Sequence, residues 1–187
     1  MILQYRVDGL SFDIEHPLFY SIQDVDLEKV YSFLSKQQLY SGSILVNGQE
    51  YLSIPVINSP ISIVPSNLSL HPHMSILDNM QLGMLYRADS INVNRVMEDV
   101  TNLNLAAYAY RIPKKISFFQ KCLVATVRSF LRCPSLVVID DMFSFIENQT
   151  GETINSIIQM IDYYSIPVLY LNRSHNPVVS ETSLIIS

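Results

Sequence analysis

Two pairs of residues in this chain have types and spacing suited to chemistry. Asp140 and Asp141 close the apolar run Leu136-Val-Val-Ile, and adjacent carboxylates can divide general-acid and general-base duties. His71 and His73 have an H-x-H spacing that suits metal ligation, but no third ligand accompanies them. Lys114 and Lys115 could touch lipid headgroups or an acidic partner, although a solvated loop is the simpler account. Asn67-Leu-Ser, Asn148-Gln-Thr and Asn172-Arg-Ser match the glycosylation acceptor pattern, which has no meaning in a cytoplasmic chain.

The elements that must position these groups follow from periodicity. Leu10, Phe12 and Ile14 alternate with polar residues as a half-buried strand does, and Leu18 to Ile22 is a second apolar run. Residues 24 to 35 suit a helix with Leu27, Val30, Tyr31 and Leu34 on one face. A strand from Gly42 ends in the Asn47-Gly48 turn, and Ile61 to Val64 is a short strand stopped by Pro65. The middle is helical. Ser75 can cap a helix bearing Ile76, Leu77, Met80 and Met84, and Val93, Val96, Val100 and Leu103 mark another. Residues 117 to 131 form a strongly apolar helix ending before Pro134. Leu136 to Asp141 reads as a buried parallel strand, followed by a helix over Ile154 to Ile161 and strands at Pro167 to Leu171 and Ser183 to Ile186. This order implies an α/β domain with a mostly parallel sheet, whose ligands bind beyond the carboxyl ends of the strands. Asp140 and Asp141 stand at one such end.

Bulk properties narrow the function classes. The 187 residues suit one domain; 49% are hydrophobic and 16% charged, enough apolar material for a core. A net charge of -5 argues against nucleic-acid binding. Every apolar run is interrupted before it could span a bilayer, and Arg6 and Asp8 make the first ten residues unlike a secretory leader. Cys122 and Cys133 read as core fillers in a reducing cytoplasm.

Six segments in order resemble the ATP-binding-cassette (ABC) transporter nucleotide-binding domain. Leu10-Ser-Phe-Asp-Ile-Glu is similar to the strand before that family's phosphate loop, and Gly42-Ser-Ile-Leu-Val-Asn-Gly to the strand and turn after the loop's helix. Ser66-Asn-Leu-Ser-Leu-His-Pro-His-Met-Ser-Ile-Leu-Asp-Asn resembles the Q-loop segment, which also accounts for His71 and His73. Pro113-Lys-Lys-Ile-Ser-Phe-Phe-Gln stands where the signature P-x-x-L-S-G-G-Q is expected. Pro134 to Glu147 resembles Walker B running into the D-loop, and Val168 to Arg173 the strand that ends in the switch histidine. The resemblance implies an ABC-ATPase-like core over residues 1–187, with a helical subdomain at about 75–130 and a first strand that is shortened or absent. Tyr5 therefore takes no adenine-stacking role.

The departures from the family pattern carry the functional expectation. A phosphate loop needs glycines and a lysine. The stretch Ser21 to Lys29 has no glycine; Asp26 or Leu27 stands in place of the lysine, and Asp24, Asp26 and Glu28 repel phosphate, while Lys29 is read as a helix-surface residue. In the signature position Ser117 and Gln120 remain but Phe118 and Phe119 replace the glycines. Ser66 replaces the Q-loop glutamine, with Asn67 beside it; Arg173 replaces the switch histidine; Asp140 keeps the Walker B aspartate and Asp141 stands for the catalytic glutamate. Losing about four phosphate contacts at about 1.5–3 kcal/mol each outweighs much of the roughly 8 kcal/mol of a micromolar affinity.

The resemblance thus implies a catalytically inactive subunit, structural or regulatory, of a membrane transporter or FtsEX-like complex, at the inner face of the cell membrane, with no metal and no cofactor expected. Its permease would contact Ser66, Asn67, Pro72, His73, Met74 and Asn79. A homodimer, or a heterodimer with another ABC ATPase, would use Phe143, Ser144, Phe145 and Glu147 at the family's seam. The alternatives are a divergent but active ATPase subunit, which would bind ATP and magnesium, and a soluble adaptor that has left the transporter.

Overall fold

A computed structural model of the chain describes residues 1–38, 41–85, 93–145 and 150–186, less the side chains of Val93, Arg95, Phe145, Thr150 and Thr182. Its framework is a parallel sheet of five strands: β3 (Phe19–Ile22), β6 (Ile61–Val64), β7 (Leu136–Asp140), β8 (Val168–Leu171) and β9 (Leu184–Ile186). They lie side by side in the order β6-β7-β8-β3-β9. Strands β3, β7 and β8 are buried along their whole length, as runs that are apolar apart from Ser21 and the terminal Asp140 require.

A strand buried on both faces feeds two cores, because successive side chains point to opposite sides. Val137 and Ile139 of β7, with Val168 and Tyr170 of β8, enter one cluster. There they meet α2 (Ile76–Gln81), α3 (Val93–Asn102), α4 (Phe118–Phe130) and α5 (Thr150–Tyr164). Leu136, Val138, Leu169 and Leu171 point the other way, onto α1 (Leu27–Leu34) and a second, antiparallel sheet. That sheet has the order β2-β1-β4-β5, with β1 at Leu3–Val7, β2 at Leu10–Ile14, β4 at Gly42–Val46 and β5 at Gln49–Glu50. The short helix α6 (Pro177–Thr182) leads into β9. This α/β architecture with a mostly parallel sheet is the one the sequence implies.

Two readings are corrected. The first strand, expected to be shortened or absent, is not absent: β1 has five residues and pairs with β2 on one side and β4 on the other, Tyr5 stacking on Phe12 at 4.8 Å between ring centroids. Of the two cysteines only Cys122 fills the core, its thiol pushed up to about 12 by burial; Cys133 is exposed. Helix boundaries follow local chemistry. The hydroxyl of Ser75 accepts the Asp78 N–H and the Asp78 carboxylate accepts the Ser75 N–H, so α2 opens with a reciprocal capping box.

Gly42 approaches β1 so closely, at φ +133°, that a Cβ there would fall on the Arg6 carbonyl oxygen. Gly151, in the first turn of α5, has nothing within 4 Å of an added Cβ. Gly42→Ala should therefore lower stability by about 1–3 kcal/mol, and Gly151→Ala should raise it by about 0.5 kcal/mol. Urea unfolding of the two variants checks both signs.

Candidate functional site

The carboxyl ends of β3, β7 and β8 meet at the start of α1, and polar residues accumulate there. Only Gln23, Asp24, Val25 and Asp26 separate β3 from α1. Asp26 caps the helix, its Oδ1 accepting the Lys29 N–H at 3.1 Å. Lys29 lies on the helix surface and pairs with Asp8 at 3.1 Å. Leu27 is buried among the residues of the α1 core. Ser21, read from the sequence as part of a loop, is instead wholly buried within β3, where its hydroxyl accepts from Ser183 Oγ at 2.6 Å. The apolar run starting at Leu18 extends the strand through Ser21 to Ile22, and a small polar residue is no obstacle to it.

Asp140 ends β7 and Arg173 lies two residues beyond β8. Arg173 Nε donates to Asp140 Oδ1 at 2.6 Å, while its Nη1 donates to Glu28 Oε2 at 2.9 Å. Its guanidinium also faces the Tyr31 ring, 5.9 Å from the centroid. Burial pushes the Asp140 carboxyl up from the usual range, and the Arg173 cation works against that rise. The Tyr31 hydroxyl is also pushed up, first by burial and then by the Asp140 charge.

Asp141 follows in the left-handed region, at φ 42°. Its Oδ1 accepts from Ser174 Oγ at 2.8 Å and from the Tyr170 hydroxyl at 3.2 Å. Tyr170 is fully buried and also accepts the Phe143 N–H at 3.0 Å. Burial is the main reason its hydroxyl is held far above the usual range.

The loops after β3 and β8 are tied together by two further contacts. The buried Asn172 donates to Gln23 Oε1 at 3.1 Å, and His175 Nε2 meets Asp24 Oδ1 at 3.0 Å. Asp24 and His175 both have positive φ. Gln23, Tyr31, Tyr170, Asn172 and His175 were not singled out from the sequence for this site. They come from two stretches far apart in the chain, and only the sheet order brings them together.

The other sequence-derived residues fall elsewhere. Ser117 and Gln120 form the capping box that opens α4, at 3.2 and 3.0 Å, and Phe118 and Phe119 pack half-buried against the helical core. The S-x-x-Q pattern already carried that signal. Ser66, Asn67, Pro72 and His73 are exposed and Met74 is half-buried. Asn79 cannot offer its side chain to a partner, which corrects the sequence reading. It is fully buried, accepts the His71 N–H at 2.8 Å, and donates to the carbonyls of His71, Met74 and Ser75. Phe143 is likewise corrected: it is fully buried and stacks on Tyr170 at 4.7 Å, inside this chain's own core. Ser144 is half-buried, its hydroxyl donating to the Asp141 carbonyl at 2.9 Å. The Phe145 side chain and Glu147 lie outside the described residues. Among the described residues no group of three or more His, Cys, Asp or Glu side chains could hold a metal ion.

No family model matches the chain. Curated relatives do. It is 28% identical over 144 residues to the molybdenum import ATP-binding protein ModC of Saccharophagus degradans, covering 74% of this chain and 40% of that protein. It is 26% identical to the molybdate/tungstate import ATP-binding protein WtpC of Methanocaldococcus jannaschii, with 71% and 45% covered. It is 24% identical to the spermidine/putrescine import ATP-binding protein PotA of Thermotoga maritima, with 75% and 39% covered. These relatives are import ATP-binding proteins. They agree with an ABC-ATPase-like fold for the parallel sheet and its helices. Each match spans less than half of the relative's own length. Among the described residues no helix is long and apolar enough to cross a membrane.

The Arg173 contacts set a stability order. Arg173→Ala leaves a largely buried carboxylate without its cation and should cost about 1–3 kcal/mol. Glu28 is 79% exposed, so Glu28→Ala should change little. Chemical unfolding of the two variants checks the order.

Proposed function

We propose that this chain is a catalytically inactive, ABC-ATPase-like subunit of an import complex, docked on the cytoplasmic face of a membrane permease. The observation that carries this reading is the placement of Arg173. Its guanidinium is bonded to Asp140 and Glu28, at the sheet end where ligands of open α/β sheets sit. A magnesium-bound triphosphate does not suit these residues. The β3–α1 connection has no glycine to expose its N–H groups. Asp24, Asp26 and Glu28 surround the helix start with negative charge, and Arg173, the cation paired with Asp140 among the described residues, is already shared between two carboxylates. Asp141, in the place of a water-activating carboxylate, is engaged by Ser174 and Tyr170.

The relatives' names favour a second reading, a divergent subunit that still binds ATP. Calorimetric titration with ATP and magnesium separates the two. The inactive reading expects no saturable heat, and phosphate release at background whether or not Asp140 is changed to Asn. Turnover above background that disappears in Asp140→Asn establishes the active subunit instead.

We assign the permease contact to the Ser66–Asn79 face; Pro72 and His73, exposed there on a loop that Asn79 holds from within, support this reading. With Cys133 replaced by Ser, cysteines at Ser69 or Ser75 should crosslink to an integral membrane protein in native membranes. Crosslinks to soluble proteins alone would favour an adaptor.

A further inference from the structure

A second polar site lies away from the sheet end, in a cleft of about 260 Å³ between β6, α4 and the loop before α2. Arg128 and Arg132 line it from α4 and the turn beyond, with Ser129 beside them; Ser62 lines it from β6 and His71 from the loop. The Arg128 guanidinium donates to the carbonyls of Ser69 and Leu68, each at 2.8 Å. Arginine carries five N–H donors, and carbonyl oxygens leave its full charge uncompensated. No carboxylate is among the described residues that line the cleft. Ser62 and Ser129 are 4% and 5% exposed, and neither hydroxyl has a hydrogen-bond partner among the described residues. Hydroxyls buried this deeply are normally satisfied. Water could satisfy them but could not balance the charge; an anion with several acceptor oxygens does both.

We propose that this cleft is a binding site for a small tetrahedral oxyanion of the phosphate or sulfate class. The donors come from three separate elements and surround the volume from different directions. A carboxylate accepts through two oxygens in one plane, whereas a tetrahedral oxyanion presents four oxygens in four directions and can meet β6, α4 and the loop together. The site depends neither on nucleotide at the sheet end nor on the membrane partner.

The test is calorimetric titration of the full chain, at low ionic strength, with inorganic phosphate, with sulfate and with acetate. Saturable binding of phosphate and sulfate with a Kd near about 1 mM or below is expected, with acetate weaker. Ser129→Ala and Arg132→Gln should each weaken phosphate binding by about tenfold and leave the urea unfolding midpoint near that of the parent chain. On the unmodified chain, phosphate should shift the amide resonances of Ser69, His71 and Ser129, which locates the anion even if a variant folds poorly. The proposal is overturned by the absence of saturation to about 20 mM, or by acetate binding as tightly as phosphate. It is equally overturned if phosphate affinity survives both substitutions, or is lost in Arg173→Ala instead.

Discussion

Everything in this chain is arranged around strands that cannot touch water on either face. Each residue of β7 and β8 is buried, so both sides of the parallel sheet must be covered by other elements. One side takes helices α2 to α5, the other takes α1 and the antiparallel sheet. Charged side chains are excluded from the length of β3, β7 and β8 and emerge where those strands end. That is why Asp140, Asp141, Asn172 and Arg173 meet at one edge although some thirty residues separate the first pair from the second.

At that edge, polar groups are tied to one another across the loops. Asp140 is held by Arg173, Asp24 meets His175, and the buried Asn172 reaches Gln23. Each contact joins the β3–α1 loop or β7 to the loop after β8. An anionic ligand entering here would have to displace Glu28 from Arg173 and approach Asp24 and Asp26. A cationic ligand would have to compete with a guanidinium already 2.6 Å from Asp140. The partly buried pair contributes definition rather than large net stability, because desolvation offsets most of the attraction.

Much of this was legible in the sequence. The runs Leu136-Val-Val-Ile and Val168-Leu-Tyr-Leu announce buried strands, Ser75 announces a cap, and Pro134 a stop. The alternation Leu3-Gln-Tyr-Arg-Val carried strand β1 equally clearly, but the expectation of a shortened first strand obscured it. Residues whose role depends on tertiary placement could not be read. Asn79 resembles any polar helix residue until its four hydrogen bonds to the preceding loop and helix start are seen. Phe143 beside Ser144 resembles an exposed seam until the ring is found stacked on Tyr170. Ser21 lies in a strand that its apolar sequence neighbours announce, but its complete burial comes from β8 and β9 on either side.

The Asn79 contacts bear on how quickly anything could recognise the loop before α2. A surface that must be ordered on docking costs conformational entropy and slows productive encounter, whereas one already fixed does not. Here one buried amide grips the main chain at His71, Met74 and Ser75, and Arg128 grips it again at Leu68 and Ser69. The exposed Pro72 and His73 are thus carried on a backbone set before any encounter. Docking on them would approach rigid-body association, with a rate governed by diffusion and orientation rather than by loop rearrangement.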